Sequence, residues 1–520
     1  MVQPAGSTVG YIEQQSLQNA VATSLSLGRL VVGGFTMLLG YRAMLVIYNL
    51  YFHPLSNFPG PFLYRASNVP FILDLIRGIT PYSIHELHQK YGKVVRVRPD
   101  ELSFTDPQAW KDIMGSRKRA SGIKSDMEKY RLFYRGVTDV TTLINASHEE
   151  HRPLRKQLSY GFSDAALSAQ ESIILPYFNK FIHRLTEVSA DSAGNPQSIE
   201  LNQWLNFLFF DVIGDLAFGE PFGCLEKGKY DSWVALNVQT IFNVMYFLAI
   251  KYLGLGFIIP LFREKLLRAR ELHMQRTRVK LERRLAMGSE RLDFVERLGK
   301  RMDEWGGNMD RLVSMTSGLL TAGTETTSTT LSGTIFLVLT HPQVHKRLKE
   351  EIRSTFKKAE DINFSSVYRL KYMIAVISEA MRMYPAVSLG LPREVPDGGC
   401  TIAGHFVPQR SAVAIHHYAT YRSRDNFTDP DDFKPERWLE GTTNEADQPG
   451  CFKPFNYGPR DCIGQNLANM EIRTILARLI FEFDLELMPE SRRWMHRQRA
   501  MLAWAKGPLM IQITPIQRQV

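Results

Sequence analysis

The chain lacks several features that mark other classes of protein. It has only four cysteines among 520 residues, and none of them forms a C-x-x-C pair. Sparse cysteines argue against a disulfide scaffold or a zinc site and favour a reducing compartment. Internal repeats and low-complexity linkers are also missing, so one large domain is compatible with the length.

A basic patch of the kind that binds nucleic acid is missing too. The chain has 63 Lys and Arg against 53 Asp and Glu, a formal net charge of +10. The basic residues are mixed with acids, as in the stretch Arg263–Glu271, and no cluster is interleaved with aromatics. We therefore expect no nucleic-acid partner. A membrane surface or an acidic redox partner fits the charge better.

The most informative stretch of the sequence is Phe455–Gly464, which offers a single thiol, Cys462, just before a predicted helix. The apolar residues that follow recur at helical spacing, which predicts a long, largely buried helix. The helix dipole and Arg460 are expected to keep the sulfur as a thiolate. Gly458 and Gly464 are expected to let the backbone bend and a flat macrocycle approach. The alternative is that Cys462 is one more small buried residue.

A second informative stretch lies between Arg311 and His341, where Glu325 is the only charged residue. Such an apolar segment predicts a buried internal helix, because its Ser, Thr and Gly make it too polar for a membrane span. Burial penalises a charged carboxylate unless it is paired or functional. Glu325 therefore needs a reason to be there.

The remaining patterns predict a mainly α fold with small β-sheets. Alternation in Lys93–Arg98 and in Glu101–Thr105 predicts two strands, and Thr401–Pro408 predicts a hairpin after the turn residues 397–399. Long helical patterns dominate residues 163–355.

The five fixed residues of the thiol loop form the pattern F-x-x-G-x-R-x-C-x-G, in Phe455, Gly458, Arg460, Cys462 and Gly464. This pattern resembles the haem-binding signature of the cytochrome P-450 family of haem-thiolate monooxygenases. The resemblance implies the cytochrome P-450 fold. It also implies haem b between the long oxygen-binding helix and the helix after the Cys loop, with Cys462 as the axial ligand of the iron.

The stretch Ala322–Thr327 resembles the family motif A/G-G-x-D/E-T-T/S. The resemblance implies that Ala322 and Gly323 leave space for dioxygen, that Thr326 holds it by hydrogen bonding, and that Glu325 relays protons. The alternative is a threonine-rich helix whose hydroxyls bond back to its own carbonyls.

The stretch Glu379–Arg382 resembles the family's E-x-x-R motif, and Pro435–Trp438 resembles its P-E-R motif. The resemblance implies a buried cluster of Glu379, Arg382 and Arg437 with a structural role in forming the haem site.

The two haem propionates need cationic partners, best supplied by arginine. Arg460 is the first candidate, and the resemblance adds His151, Arg155 and Arg393, for which a solvated surface charge is the alternative. By family topology the substrate walls would be mostly apolar, which suits a lipophilic substrate. The wall segments are Lys118–Phe133, the helix near Leu319, Val387–Leu391 and Ala500–Trp504.

The N-terminal region, residues 1–52, contains a predicted membrane anchor at about 30–52, interrupted by Arg42. A proline-rich hinge follows at 53–61, and residues 62–520 are expected to form the catalytic domain. Basic residues after the anchor place this domain in the cytosol. We expect a single-pass protein of the endoplasmic reticulum membrane. A signal peptide and an interfacial helix are the alternatives.

Two stretches, Tyr51–Pro61 and Asp211–Glu220, resemble fungal secondary-metabolism members of the family. The resemblance implies insertion of one oxygen atom from O2 into a terpenoid or polyketide, with electrons from NADPH-cytochrome P-450 reductase. The alternatives are a reductase-independent isomerase or dehydratase, and a haem-binding sensor or carrier without turnover.

Overall fold

The computed structural model describes residues 29–516 except 31, 119–123, 135–139, 191–195, 232–243, 289–290, 292, 443 and 497. The fold is mainly helical with small sheets, as predicted. A further helix covers residues 244–252. The longer helices are α1 (Val69–Arg77), α2 (Thr80–Tyr91), α3 (His148–Ser159), α4 (Asp164–Val188), α5 (Leu201–Phe218), α6 (Arg263–Ala286), α7 (Met309–Thr340), α8 (Pro342–Thr355), α9 (Lys371–Met383) and α10 (Gln465–Glu482).

Helix α7 crosses the centre of the molecule and contacts α5, α6, α8, α9 and α10. The Asn308 side chain caps its first turn by accepting a hydrogen bond from the Arg311 N–H. Helix α5, its main neighbour, is apolar on nearly all sides and buried from Leu201 to Phe218. The prediction that the segment between Arg311 and His341 is a buried helix is confirmed, and so is the helix after Cys462.

A five-stranded sheet has the order β1-β2-β10-β7-β5. Strands β1 and β2 are antiparallel, β10 runs parallel to β2, and β7 is antiparallel to both β10 and β5. The register of β5 and β7 sets Lys129 opposite Arg393, so two cationic residues meet. The strands are β1 (Val94–Arg98), β2 (Glu101–Phe104), β5 (Glu128–Lys129), β7 (Arg393–Glu394) and β10 (Ala412–Ile415).

The other sheets are smaller. One has the antiparallel order β11-β14-β6, and three are hairpins, of which β8–β9 confirms the one predicted within Thr401–Pro408. Their strands are β3 (Arg117–Lys118), β4 (Lys124–Ser125), β6 (Ser198–Glu200), β8 (Cys400–Ile402), β9 (His405–Val407), β11 (Phe483–Leu487), β12 (Arg499–Ala500), β13 (Trp504–Ala505) and β14 (Met510–Pro515).

Short helical segments connect these elements. The α-helical ones are Phe62–Ala66, Pro107–Ala109, Arg131–Tyr134, Cys224–Lys227, Glu296–Lys300 and His417–Tyr421. Single π-helical turns cover Tyr48–Phe52 and Trp110–Met114, and 3-10 turns include Tyr160–Phe162, Gly256–Phe262, Pro435–Trp438 and Gly458–Arg460.

The N-terminal helix Val32–Phe52 is long and apolar enough to cross a membrane, and it projects from the body with almost none of its surface buried. The proline-rich segment after it is fixed to the five-stranded sheet. Leu55 is fully buried, and the Pro59 carbonyl accepts a 2.7 Å hydrogen bond from the Arg96 N–H. The segment therefore holds the exit of the helix in a defined place.

Candidate active site

The Cys loop, residues 455–464, is closed by its own backbone. The Cys462 N–H donates to the Phe455 carbonyl at 2.8 Å. Gly458 has a φ of +82°, and a Cβ there would lie 2.1 Å from the Met114 carbonyl oxygen, so only glycine fits. Gly464 has a φ of −87°, and a Cβ there would meet Phe162 at an ordinary 3.7 Å. The backbone conformation of the loop thus requires glycine at position 458, whereas a side chain could be accommodated at position 464.

The electrostatics of Cys462 differ from the expectation. The side chain is solvent-accessible, yet it lies deep among protein atoms. Burial raises the pKa of the Cys462 thiol, while the Gly464 N–H and Arg155 act in the opposite direction. The expectation that Arg460 and the helix dipole keep the sulfur as a thiolate is therefore wrong for the protein without a metal. An iron ion would supply the missing positive charge.

Arg155 supports the Cys loop. On α3 it donates through Nη1 to the Asp461 carbonyl at 2.5 Å and through Nη2 to the Asp461 carboxylate at 2.6 Å. This bidentate contact joins α3 to the residue before Cys462. Asp461 would therefore compete with a haem propionate for the Arg155 guanidinium.

Helix α7 has an accessible strip at Leu319, Ala322 and Thr326, which follow the i, i+3, i+7 spacing of one helix face. The Thr326 hydroxyl donates to the Ala322 carbonyl at 2.6 Å, the back-bonding that was the alternative interpretation. Gly323 does not face open space as expected. A Cβ there would meet the Ile213 side chain of α5 at 2.8 Å, so this glycine permits close helix packing.

Glu325 lies on a different face of α7 and has a counterion that the sequence did not indicate. The Lys506 ammonium donates to Glu325 Oε1 at 2.6 Å. Both side chains are nearly buried, with 4% and 11% of their surface exposed. The buried acid that lacked a reason is therefore one half of an ion pair.

The cationic cluster, defined here as Arg460, Arg393 and Lys129, lies where the Cys loop meets β5 and β7. The Arg460 guanidinium donates to the carboxylate of Asp126, to the Ala146 carbonyl at 2.7 Å and to the carboxylate of Glu128 at 3.4 Å. Of these two acids only Asp126 is buried. Arg460 is therefore held by the protein itself.

The positive charges of Arg393 and Lys129 have fewer carboxylate partners than that of Arg460. Arg393 is 2% exposed and lies 3.6 Å from Asp126, and its Nε has no hydrogen-bond partner among the described residues. Burial, together with the charges of Arg393 and Arg460, lowers the pKa of Lys129 well below its usual range. Burial, together with the charges of Arg460 and Lys129, lowers the pKa of neighbouring His151 to about 3, so this histidine is neutral.

These residues fit the haem group that the resemblance implies. The buried Arg460 and Arg393 and the partly buried Lys129 face one buried carboxylate, so the cationic cluster carries surplus positive charge. Two propionates would neutralise that surplus. The accessible thiol of Cys462 and the accessible strip on α7 add an iron ligand and room for a flat ring.

The balanced cluster, defined here as Glu379, Arg382, Arg437 and Asp447, pairs two carboxylates with two guanidinium groups. Arg382 donates to both Glu379 oxygens at 2.9 Å, and Arg437 donates to Glu379 at 2.9 Å and to Asp447 at 2.6 Å. The Trp438 indole N–H adds a 2.9 Å bond. Burial alone would raise the pKa of Glu379, but Arg382 and Arg437 outweigh it and lower that pKa.

The balanced cluster reaches the Cys loop through Tyr421. Arg382 Nη1 donates to the Tyr421 carbonyl at 2.8 Å, and the Tyr421 hydroxyl accepts from the Lys453 N–H at 2.9 Å. The Lys453 carbonyl in turn accepts from the Asn456 N–H at 2.9 Å. A continuous chain of hydrogen bonds thus joins the cluster to the loop that carries Cys462.

Two of the predicted substrate walls meet. Phe133 and Leu389 line one small, mostly apolar cavity together with Leu248 and Tyr252. Residues 119–123 of the first wall segment lie outside the described residues. Among the described residues, the lining also includes Glu101 and His416 and no residue of α7 or of the Cys loop.

Comparison with known proteins decides the family. The family model described as cytochrome P450 matches residues 60–513 of the chain. The chain belongs to the cytochrome P450 family. Cytochrome P450 monooxygenase tpeC of Talaromyces stipitatus is 41% identical over 495 residues, which cover 95% of this chain and 97% of that protein. Averantin hydroxylase of Dothistroma septosporum is 39% identical, covering 93% of this chain and 91% of its own, and trichothecene C-15 hydroxylase of Fusarium sporotrichioides is 39% identical, covering 92% and 96%.

Membership defines the class of chemistry. This P450 is a haem-thiolate monooxygenase that uses haem, dioxygen, a redox partner and a lipophilic substrate. Its relatives belong to fungal secondary metabolism, as the resemblance implied.

Sequence reasoning missed several residues of the site. Lys129, Asp126, Lys506 and Tyr421 belong to no motif that we recognised, and each reaches the site through a contact distant in sequence. A lone Lys or Asp has no pattern of its own. The β5–β7 register, which is set by tertiary pairing, was the signal needed for Lys129.

Proposed function

We propose that this P450 hydroxylates a lipophilic secondary metabolite of the terpenoid or polyketide type. The proposal is supported by relatives that are named for averantin and for C-15 of trichothecene. Held by the Cys462 thiolate, haem would supply the activation of dioxygen, with one oxygen atom going to the substrate and the other leaving as water after uptake of two electrons and two protons.

The observation that carries the assignment of roles is the placement of Cys462. Its sulfur is accessible, and the nearby Gly464 N–H and Arg155 favour negative charge on a ligating thiolate. Arg393 and Lys129, with Arg460 and His151 beside them, would hold the propionates. The accessible strip of α7 leaves the Thr326 hydroxyl where it can orient a ligand, and Glu325 is the nearby acid that moves protons.

The balanced cluster has a supporting role in this proposal. Glu379, Arg382 and Arg437 fix Tyr421 and through it the Cys loop, and they take no part in the chemistry. Arg155 fixes the same loop from α3 through Asp461.

Electron supply is proposed to come from NADPH-cytochrome P450 reductase at a basic face. Arg152 and Lys156 are exposed on α3, one turn before and directly after Arg155, which ties this helix to the Cys loop. An acidic partner docked there would be steered by charge. We expect turnover with the reductase to fall steeply as salt rises.

The protein is proposed to be a single-pass protein of the endoplasmic reticulum, with residues 62–520 in the cytosol. The exposed N-terminal helix Val32–Phe52 supports an anchor. Phe62 and Leu63, just after the fixed proline-rich segment, are more than half exposed, so apolar surface continues onto the body. Resistance of the chain to alkaline carbonate extraction from microsomes is the expected result, and release into the supernatant would contradict the anchor.

The decisive experiment is the spectrum of the reduced, carbon-monoxide-bound protein beside Cys462→Ser and Cys451→Ser. Cys451 is a buried thiol just before the loop and serves as the matched control. We expect a Soret band in the far-red position of thiolate-ligated haem in the wild type and in Cys451→Ser, and its loss in Cys462→Ser. A band in the histidine-ligated position would contradict the role of Cys462. No NADPH consumption with reductase across a broad substrate panel would favour a sensor or carrier.

A further inference from the structure

Lys506 occupies an unusual position beside the oxygen-binding helix. Its ammonium donates to Glu325 Oε1 at 2.6 Å, to the Thr329 hydroxyl at 2.6 Å and to the Ser328 hydroxyl at 3.4 Å. These contacts use all three donors of the ammonium group. Because all three donors are used, the position of the Lys506 ammonium is fixed relative to α7.

The three partners of Lys506 on α7 are buried, whereas Thr326 is partly accessible. Glu325, Ser328 and Thr329 follow the i, i+3, i+4 spacing, and all three are buried. Ala322 and Thr326 lie on the accessible strip instead. Lys506 therefore holds the carboxylate of Glu325 away from the hydroxyl to which it is proposed to pass protons.

The position of the Lys506 ammonium depends on the C-terminal hairpin β12–β13. The Lys506 N–H donates to the Trp504 carbonyl at 2.9 Å. The Trp504 indole N–H donates to the Pro385 carbonyl at 2.8 Å, and its ring stacks on Tyr384 with centroids 5.0 Å apart. The hairpin residues Ala500–Trp504 are also an expected substrate wall. One short segment thus touches both the substrate region and the Glu325 counterion.

We propose that Lys506 is the positioning residue for Glu325 and couples the C-terminal hairpin to proton supply. Its hydrogen bonds keep the carboxylate directed to the buried face of α7. A shift of the hairpin moves the ammonium and frees the carboxylate to turn towards Thr326. The proposal rests on the proposed function, in which Glu325 is the proton relay.

Other titratable groups surround the pair and bound its pH behaviour. Burial raises the pKa of Tyr384 well above its usual range, and burial raises that of Tyr230 to about 12, so both stay neutral. Burial also raises the pKa of Glu200, which Lys506 opposes. Removal of the ammonium leaves the Glu325 carboxylate without its hydrogen-bonded cation, and desolvation then favours its protonated form.

The test compares Lys506→Met and Lys506→Arg with the wild type. Lys280→Met is the matched control. Lys280 lies on α6 and pairs with Glu220, away from the site. The first readout is infrared absorption of the full-length haem protein at neutral pH. We expect a new protonated-carboxyl band in Lys506→Met that is absent from Lys506→Arg, from Lys280→Met and from the double variant Lys506→Met with Glu325→Gln.

The second readout is the rate at which the reduced protein is re-oxidised by dissolved oxygen, measured against pH in H2O and D2O. We expect Lys506→Met to change this rate by about tenfold or more, within the range of general acid catalysis, and to move its pH midpoint upward. Lys506→Arg and Lys280→Met should keep the wild-type midpoint. A purely structural Lys506 would leave the midpoint unchanged.

A Lys506→Met protein with the wild-type infrared spectrum and pH midpoint would overturn the proposal. If that variant does not fold, Lys506→Gln, which keeps a hydrogen-bond donor but no charge, takes its place with the same expected results. Failure of the proposed function is recognised separately, because the wild type would then lack the far-red carbon-monoxide band while the infrared result still reports on the ion pair.

Discussion

The balanced cluster and the cationic cluster are both networks of largely buried charges, but they differ in net charge. In the balanced cluster two guanidinium groups meet two buried carboxylates, and Glu379 receives bonds from Arg382, Arg437 and Trp438. In the cationic cluster Arg460 and Arg393 share one buried carboxylate, Asp126, and Lys129 beside Arg393 adds a third positive charge. Because uncompensated buried charge is costly, the first network can stabilise the fold by itself, whereas the second needs an anionic ligand.

The largest expected effect comes from breaking the balanced cluster. Arg382→Met removes two of the hydrogen bonds that buried Glu379 accepts and should lower the free energy of unfolding by about 3–5 kcal/mol. Urea unfolding of the purified protein measures this loss. Arg301→Met, which removes an exposed pair with Glu304, is the control and should cost less than about 1 kcal/mol. Equal losses in both variants would contradict the distinction between buried and exposed pairs.

Breaking the cationic cluster should affect haem more than the chain. Arg393→Met removes a cation that is proposed to bind a propionate, so haem affinity should fall about 10–100-fold, the equivalent of one charged hydrogen bond of about 1.5–3 kcal/mol. Transfer of haem to an acceptor protein measures the affinity. The stability of the haem-free chain should stay the same or rise, since an under-compensated charge is removed. A large loss of that stability would place Arg393 in the structural class.

The smallest expected effect is a pH dependence with a defined sign. The pKa of Lys129 is lowered well below 10.5 in the folded chain, mainly by burial, so the unfolded state binds more protons. Lys129 therefore destabilises the haem-free protein at neutral pH, and this destabilisation disappears as pH rises towards 10.5. The difference in unfolding free energy between wild type and Lys129→Met should therefore shrink with rising pH. A difference that grows would contradict the cationic cluster.

Local patterns predicted much of the fold and the central part of the site. Alternation located β1 and β2, and helical spacing located α7 and α10. The motifs located Cys462 and the charged residues Glu379, Arg382 and Arg437. These signals depend on neighbours within a few positions, so they are visible in one sequence.

Directions of side chains were harder to predict than their positions. Gly323 belongs to the expected motif, but its open side meets Ile213 of α5. Arg460 stands two residues before Cys462, yet its guanidinium turns to Asp126 and leaves Arg155 as the cation nearer the sulfur. Each outcome depends on a partner that is remote in the chain.

The sequence by itself determined which chemistry this protein can perform, because a thiol at a helix start and an acid beside a threonine are local arrangements of a few residues. The tertiary structure decided how those groups are charged. Strand pairing set Lys129 beside Arg393, and the C-terminal hairpin brought Lys506 to Glu325. Electrostatic energy depends on distance in space and on burial, and neither is written in the order of the residues.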